Sequence, residues 1–305
     1  MSAAPISLSL RDALLALAVT AVWGTNFVVI HIGLEHLPPL LFAALRFTFS
    51  LLPAVFFLKR PNVPWRNLAA YGLFVGAGQF GLLYIAMSQH ITPGLASLVV
   101  QTQVFFTIGL AAVLSGERVR PFQTVALLVT LAGLGIILAH TDATTNALGL
   151  GLVLTAAACW AASNIVVRSS PGVDMLAYVV WASLFSIPPL LALSFALEGW
   201  PAIRDGLMSA DASTWAAVAW QAVGNTLFGY AMWGWLLSRY PVATIAPMAL
   251  AVPIFGITAS ALWLGEPIQD WKLEAAAFVM AGLALNVLWP KLVTKRASKA
   301  VPQST

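Results

Sequence analysis

Residues 94–118 read GLASLVVQTQVFFTIGLAAVLSGER and residues 243–267 read ATIAPMALAVPIFGITASALWLGEP; laid over one another without a gap, they place Glu117 on Glu266. Each is an apolar run of about twenty residues closed by Gly-Glu, enough to cross roughly 30 Å of hydrocarbon as a helix. A second echo lies earlier in each half. VWGTNFVVI at 22–30 answers CWAASNIVV at 159–167, pairing Trp23 with Trp160. The shared order predicts two copies of one unit, residues 12–140 and 147–290, followed by a basic tail at 291–305.

Working outward from these stretches, similar apolar runs occur at 12–33, 38–58, 67–88, 93–115, 121–140, 147–168, 175–197, 213–237, 241–264 and 271–290. Pro38-Pro39, Pro61, Pro64, Pro121, Pro171-Gly172, Pro201 and Pro267 punctuate the connections, as helix breakers should. The expected fold is all-α integral membrane, with ten transmembrane helices. Five helices per copy is an odd number, so the second copy enters the membrane upside down. The two repeats are then inverted about an axis in the membrane plane, a plan common among secondary transporters.

Composition agrees with a lipid-covered surface. Of 305 residues, 60% are hydrophobic and 9% charged, against roughly 25% charged in soluble domains. The mean hydropathy is +0.88. The net charge of +4 does not signal a nucleic-acid partner, because the basic residues are strung between apolar runs and not interleaved with aromatics. Their placement speaks to orientation instead. With the N-terminus inside, 12 Lys and Arg fall on inner segments and 2, Arg204 and Lys272, on outer loops. The positive-inside rule therefore puts both termini in the cytoplasm of a bacterial inner-membrane protein. The first apolar run begins at Ala13 and is too long for a cleaved signal, so it reads as a signal anchor. The single cysteine, Cys159, sits in an apolar run and supports neither a disulfide framework nor a metal cluster; no cofactor is expected.

Polar residues inside the spans are the candidate site. Trp23, Asn26, Phe27 and Ile30 share one stripe of the first helix, and Trp160, Ser163, Asn164 and Val167 make the same stripe on the sixth. Facing each other they would wall a central cavity; helix packing through amide hydrogen bonds is the plainer alternative. Arg46 is the only formal charge deep in a span. It costs roughly 2.5–3.5 kcal/mol there and needs a partner or water. It either holds a substrate carboxylate through two parallel bonds or anchors carbonyls and Tyr hydroxyls. Gln79 lies mid-span on the third helix, Gln101 and Gln103 on the fourth. The last two are about 200° apart, so only one of them faces a given cavity. The eighth helix divides likewise, with Gln221 and Asn225 on one side and Thr226, Tyr230 and Trp233 on another. Asn225 and Tyr230 join the candidate list. His31, His36, His90 and His140 all fall near the outer face, and His31 and His90 are candidates for proton coupling. Glu117 and Glu266 end their helices on opposite faces and read as loop or gate contacts. Gly72 and Gly76 form a GxxxG on the third helix, read as close packing and not as a hinge. The ninth helix carries Pro241, Pro247 and Pro253; interior prolines free carbonyls, tolerable where they line a cavity or meet neighbouring groups, and a gating or binding role fits there.

The stretches VWGTNFVVIHIGL (22–34), PPLLFAALRF (38–47), GLASLVVQTQVFFT (94–107), SGERV (115–119), WAASNI (160–165) and VPIFGITASALWLGE (252–266) resemble the EamA branch of the drug/metabolite transporter superfamily. The resemblance covers roughly residues 10–290. It implies an inverted-repeat carrier with a cavity between the repeats, and export of cysteine-pathway metabolites such as cysteine and O-acetylserine or related small amino acids. Carried over by position, it assigns Trp23 and Asn26 from WGTN, Arg46 from LRF, and Gln101 and Gln103 from QTQ to that cavity. The second-half counterpart, WAASN, lacks the glycine of WGTN.

Other classes fit less well. An enzyme would need a polar cluster at membrane depth, and there is no HExxH, no paired carboxylates and no Ser–His pair on one span. A channel would normally show a charged ring or filter loop. Broad drug efflux suits the tryptophans but lacks an intramembrane carboxylate for a cation. The expected partners are membrane lipid and a small zwitterionic or anionic amino-acid metabolite. Nothing in the sequence sets an oligomeric state.

Overall fold

A computed structural model describes residues 8–142 and 144–300, with backbone alone at 242, 243 and 291–300. Among the described residues every regular element is helical. The elements are α1 (Leu10–Leu34), α2 (Pro39–Leu51), α3 (Trp65–Gln89), α4 (Pro93–Ser115), α5 (Pro121–Ala139), α6 (Ala147–Arg168), α7 (Met175–Ser209), α8 (212–239), α9 (Ala246–Leu264, after one turn at Val242–Ile245) and α10 (Asp270–Ala300). Nine helices among these residues are long and apolar enough to cross a membrane. The expected span at 213–237 is helical as α8, but its polar middle keeps it out of that set. The side chains of the basic tail at 291–300, and all of 301–305, lie outside the described residues.

Local chemistry sets most helix ends. Pro39, Pro93 and Pro121 open α2, α4 and α5, where no ladder N–H is missed. Asn146 and Asp211 cap α6 and α8 by accepting from the Gly149 and Thr214 N–H groups. Gly116 and Gly265 close α4 and α9 at φ 66°, a left-handed conformation that a side chain would strain. The irregular turns also recur: α3 is π-helical over Phe74–Gly81 and α8 over Trp220–Phe228, while α4 tightens to 3-10 at Val100–Thr102 and α9 at Ala246–Leu250.

Two spans differ from expectation. The second helix stops at Leu51, because Pro53 has no N–H to continue the ladder; one short turn, Ala54–Phe56, follows. The seventh runs on to Ser209 through a break at Gly199, φ 79°, with Pro201 in the first turn of the continuing piece. Gly206 on that piece packs against Pro38 and the His36 carbonyl.

Lipid gives helices no hydrophobic reason to associate, so small residues and polar contacts join them. The GxxxG of α3 does this against α7: a Cβ on Gly72 would strike the Ala182 carbonyl, one on Gly76 would lie 2.5 Å from Ser186 Cβ, and Ser186 Oγ donates to the Gly72 carbonyl at 2.8 Å. Gly24 of α1 meets α9 as closely: a Cβ there would lie 2.5 Å from the Val252 carbonyl. The bundle has two chemically distinct ends. Contacts of Arg168 with Glu117, Asn67 with Ser169, and Asp12 with Tyr240 gather the basic end. Contacts of His90 with Asn146, His36 with Thr214, and Thr92 with Glu266 gather the histidine end.

Candidate functional site

At the centre, α1, α2, α3 and α8 meet around Arg46. The side chain is 1% exposed. Its Nη1 donates to the Tyr84 hydroxyl at 3.3 Å and its Nη2 to Thr226 Oγ1 at 3.2 Å. Those oxygens are free to accept because their own protons point elsewhere. Tyr84 donates to Gln221 Oε1 at 3.0 Å, and Thr226 to the Gln221 carbonyl at 2.9 Å. Gln221 Nε2 in turn donates to Asn26 Oδ1 at 2.8 Å, which ends the chain on α1. The guanidinium carbon also lies 3.6 Å over the Phe80 ring, a cation–π contact.

Charge balance is the notable property of this hub. The two guanidinium bonds exceed the 2.7–2.9 Å usual for charge-assisted pairs, and both acceptors are neutral. Nε is buried with no hydrogen-bond partner. Among the described residues no carboxylate pairs with Arg46. A buried charge held only by neutral hydroxyls is costly, and the arrangement suits a site completed by an anion from outside the chain.

Around the hub, Trp23 Nε1 donates to the Asn225 carbonyl at 3.1 Å. Its ring packs on Trp233 and Tyr230 with centroids 5.2 and 5.9 Å away. Gln79, Gln101 and Asn225 are each at most 8% exposed as whole residues. None of their side-chain amides makes a hydrogen bond among the described residues. These amides are polar groups with unspent hydrogen-bonding capacity.

The second-half residues form a separate cluster. Asn164 Nδ2 donates to Gln103 Oε1 at 2.9 Å and to Thr107 Oγ1 at 3.4 Å, joining α6 to α4. The amides at Asn26 and Asn164 thus bond to different helices, α8 and α4, and do not face one another. Ser163 is fully buried and bonds back to the Trp160 carbonyl. Trp160 packs on the central apolar cluster. Gln101 and Gln103 separate as their angular spacing requires, the second spent on Asn164 and the first unpaired. His90 caps the end of α3 and is held by Asn146, while His31 makes no hydrogen bond among the described residues.

Sequence reasoning left Tyr84, Phe80 and Thr226 off the candidate list. Thr226 and Gln221 were assigned to different faces of an ordinary helix; the π-helical turn brings residues five apart onto one face. A cleft of about 640 Å³ opens at the basic end between 57–64 and 169–177, remote in its lining from Arg46.

The two halves of α4 have different principal neighbours. Near the histidine end the first half of α4, Pro93–Val99, packs on α9 and α1. Toward the basic end the second half of α4 lies on α6, and the start of α9 lies on α10 and α1.

Comparison with known proteins places this geometry. The sequence profile of the EamA-like transporter family matches residues 10–139 and again 147–288. A Salmonella typhimurium protein named "Probable amino-acid metabolite efflux pump" is 40% identical over 289 residues, 92% of this chain and 96% of its own. An Escherichia coli K12 protein of the same name is 37% identical over 94% of this chain and 99% of its own. A Streptantibioticus cattleyicolor protein named "Probable terminal-alkyne amino-acid exporter" is 26% identical over 91% and 94%. A solved crystal structure superposes with a TM-score of 0.61 at 20% identity, over 93% of this chain and 98% of the other, a likeness of fold alone.

Proposed function

The chain belongs to the EamA-like transporter family, and from that premise we propose that it exports small amino-acid metabolites, cysteine, O-acetylserine or close relatives, by alternating access. The observation that carries the substrate class is Arg46, buried at the hub with no carboxylate partner among the described residues. An amino-acid metabolite brings the missing carboxylate, and the guanidinium fork can take it through two parallel bonds. Gln79, Gln101, Asn225 and the Trp23–Tyr230–Trp233 aromatics then surround the rest of a small zwitterion. An uncompensated buried cation weighs against cationic drugs as the main cargo.

Alternating access is supported by the recurrence of irregular turns in α3 and α8 and in α4 and α9, at matching places in two family matches. Inverted repeats of five spans, with both termini in the cytoplasm, account for that recurrence and for the concentration of Lys and Arg at one end. The basic end then faces the cytoplasm and admits substrate from inside. Asn164, Gln103 and Trp160 flank that approach.

The test is the extracellular amino-acid content of cells overproducing the protein, compared with an Arg46→Ala variant present in the membrane at the same level. Extra cysteine or O-acetylserine in the medium, absent with the variant, is the expected result. An unchanged medium with the parent protein sinks the substrate assignment; full export by Arg46→Ala sinks the arginine's role.

A further inference from the structure

The ends of α4 and α9 share one backbone device but differ in what their glutamates hold. Each closes on a glycine at φ 66°, and the next residue's N–H reaches back six positions, Glu117 to Ala111 and Glu266 to Ser260. Glu266 is folded inward, its side chain 11% exposed. It accepts from the Thr92 hydroxyl at 2.5 Å, from the Gly94 N–H at 3.1 Å and from the Ser260 hydroxyl, and it pairs with Lys272 Nζ at 2.9 Å. Thr92 and Gly94 bracket the first turn of α4. One carboxylate therefore ties the start of α4 to the end of α9, at the favourable pole of the helix. Just beneath it α4 and α9 touch, with no room for a Cβ on Gly256 against Ser97.

Glu117 is engaged quite differently. Its side chain is 51% exposed, and its partner Arg168, at 2.6 Å, is 53% exposed. In the gap-free register of the two stretches, Thr92 corresponds to Pro241 and Gly94 to Ala243, at the entry to α9. Glu117 makes no hydrogen bond there among the described residues. The two glutamates are therefore engaged unequally, Glu266 inward between α4 and α9 and Glu117 with the exposed Arg168.

We propose that Glu266 is the latch that holds the histidine end shut in this state, and that Glu117 is its counterpart, engaging the entry to α9 when the bundle rocks to the opposite state. The proposal rests on the alternating-access reading above and adds the groups that set its balance. The two latches are chemically unequal. Pro241 offers neither the hydroxyl of Thr92 nor an N–H, and Ala111 stands where Ser260 donates. Continuing the register puts Gln123 at the place of Lys272, and its side chain is spent on the Arg120 N–H. The state latched by Glu266 is therefore the resting one.

The test uses full-length protein in detergent, where both ends are reachable, in a Cys159→Ser background. Single reporters are Ser97→Cys, beneath the Glu266 latch, and Ala246→Cys, its counterpart in register; the readout is the rate of labelling by a soluble maleimide. Glu266→Gln is expected to speed labelling at the first reporter roughly tenfold, equivalent to about 1.4 kcal/mol, and to slow it at the second. Glu117→Gln is expected to do the reverse with a smaller change, since the exposed Arg168 pair it also removes is weak. Thr92→Val keeps both acids and should follow Glu266→Gln more mildly, which covers failure of the charge variant to fold. Unchanged rates in Glu266→Gln and Thr92→Val overturn the latch, and so does equal acceleration of both reporters by both glutamine variants, the mark of general loosening. A parent that exports amino-acid metabolites without the crossed pattern keeps the proposed function and loses the latch. A crossed pattern in a parent that exports nothing keeps the latch and loses the substrate assignment.

Discussion

A guanidinium at 1% exposure, with hydroxyl acceptors at 3.2 and 3.3 Å and an unpaired Nε, is held in place without being neutralised. Lysine keeps the charge but not the planar fork. Arg46→Lys is therefore expected to reach the membrane normally and to export about tenfold or more slowly, from the loss of one strong charge-assisted contact of about 1.5–3 kcal/mol. Export indistinguishable from the parent would mean that charge alone suffices. Glu266 gives a second residue-scale prediction. Burial pushes its carboxyl up, but hydrogen bonds from Ser260, Thr92 and Lys272, with the Lys272 charge, outweigh this and hold it below the ordinary value of 4.5. Asp142, which also lies in the field of Lys272, completes the charged surroundings. A folded-state pKa below the unfolded one contributes stability that is whole above the ordinary value and is lost as pH falls through the lowered one. The melting-temperature gap between parent and Glu266→Gln should hold steady at neutral pH and close on acidification below about 4.5. A gap that widens there contradicts the assigned partners.

At the scale of elements, close crossings and irregular turns do different work. The α3–α7 crossing has no spare volume at Gly72, where a Cβ meets the Ala182 carbonyl. Gly72→Val should destabilise by about 1–3 kcal/mol, as overpacking does, read as a lower unfolding temperature in detergent. A Cβ on Gly135 of α5 would meet nothing within 4 Å among the described residues, and Gly135→Ala should be neutral or stabilising by up to about 1 kcal/mol from helix propensity. Equal losses at both positions would show that the crossing is not tight. The π-helical turn of α8 serves the site: it lets Gln221 and Thr226 converge on Arg46 and Tyr84, and the Thr226 hydroxyl satisfies the Gln221 carbonyl that the wider turn frees.

For the whole molecule the decisive question is whether one end closes before the other opens. Near the histidine end α4, α9 and α1 meet, whereas toward the basic end the second half of α4 lies on α6. A carrier built this way returns faster when loaded, so counterflow in vesicles should show trans-stimulation by cysteine or O-acetylserine. A channel of the same fold would pass substrate with no such stimulation, and that result would retire alternating access.

The chain's order of apolar runs and its prolines were enough to read a helical membrane protein, and the stretches around WGTN, LRF and QTQ carry its resemblance to this family. Each run meets lipid on its own account, so hydropathy summed along the chain is a local quantity. The GxxxG of α3 was legible as packing for the same reason, since lipid leaves small residues little other use. What the sequence did not reveal is which polar side chains meet. Asn26 and Asn164 look alike on matching stripes, yet one bonds Gln221 and the other Gln103. Thr226 reached the hub through a widened turn that an ideal helix period does not contain. Glu266 and Glu117 carry the same motif, yet one is buried among four donors and the other is half exposed. These outcomes depend on the rotation of each helix and on neighbours 51 to 195 residues away along the chain, so only the tertiary structure decided them.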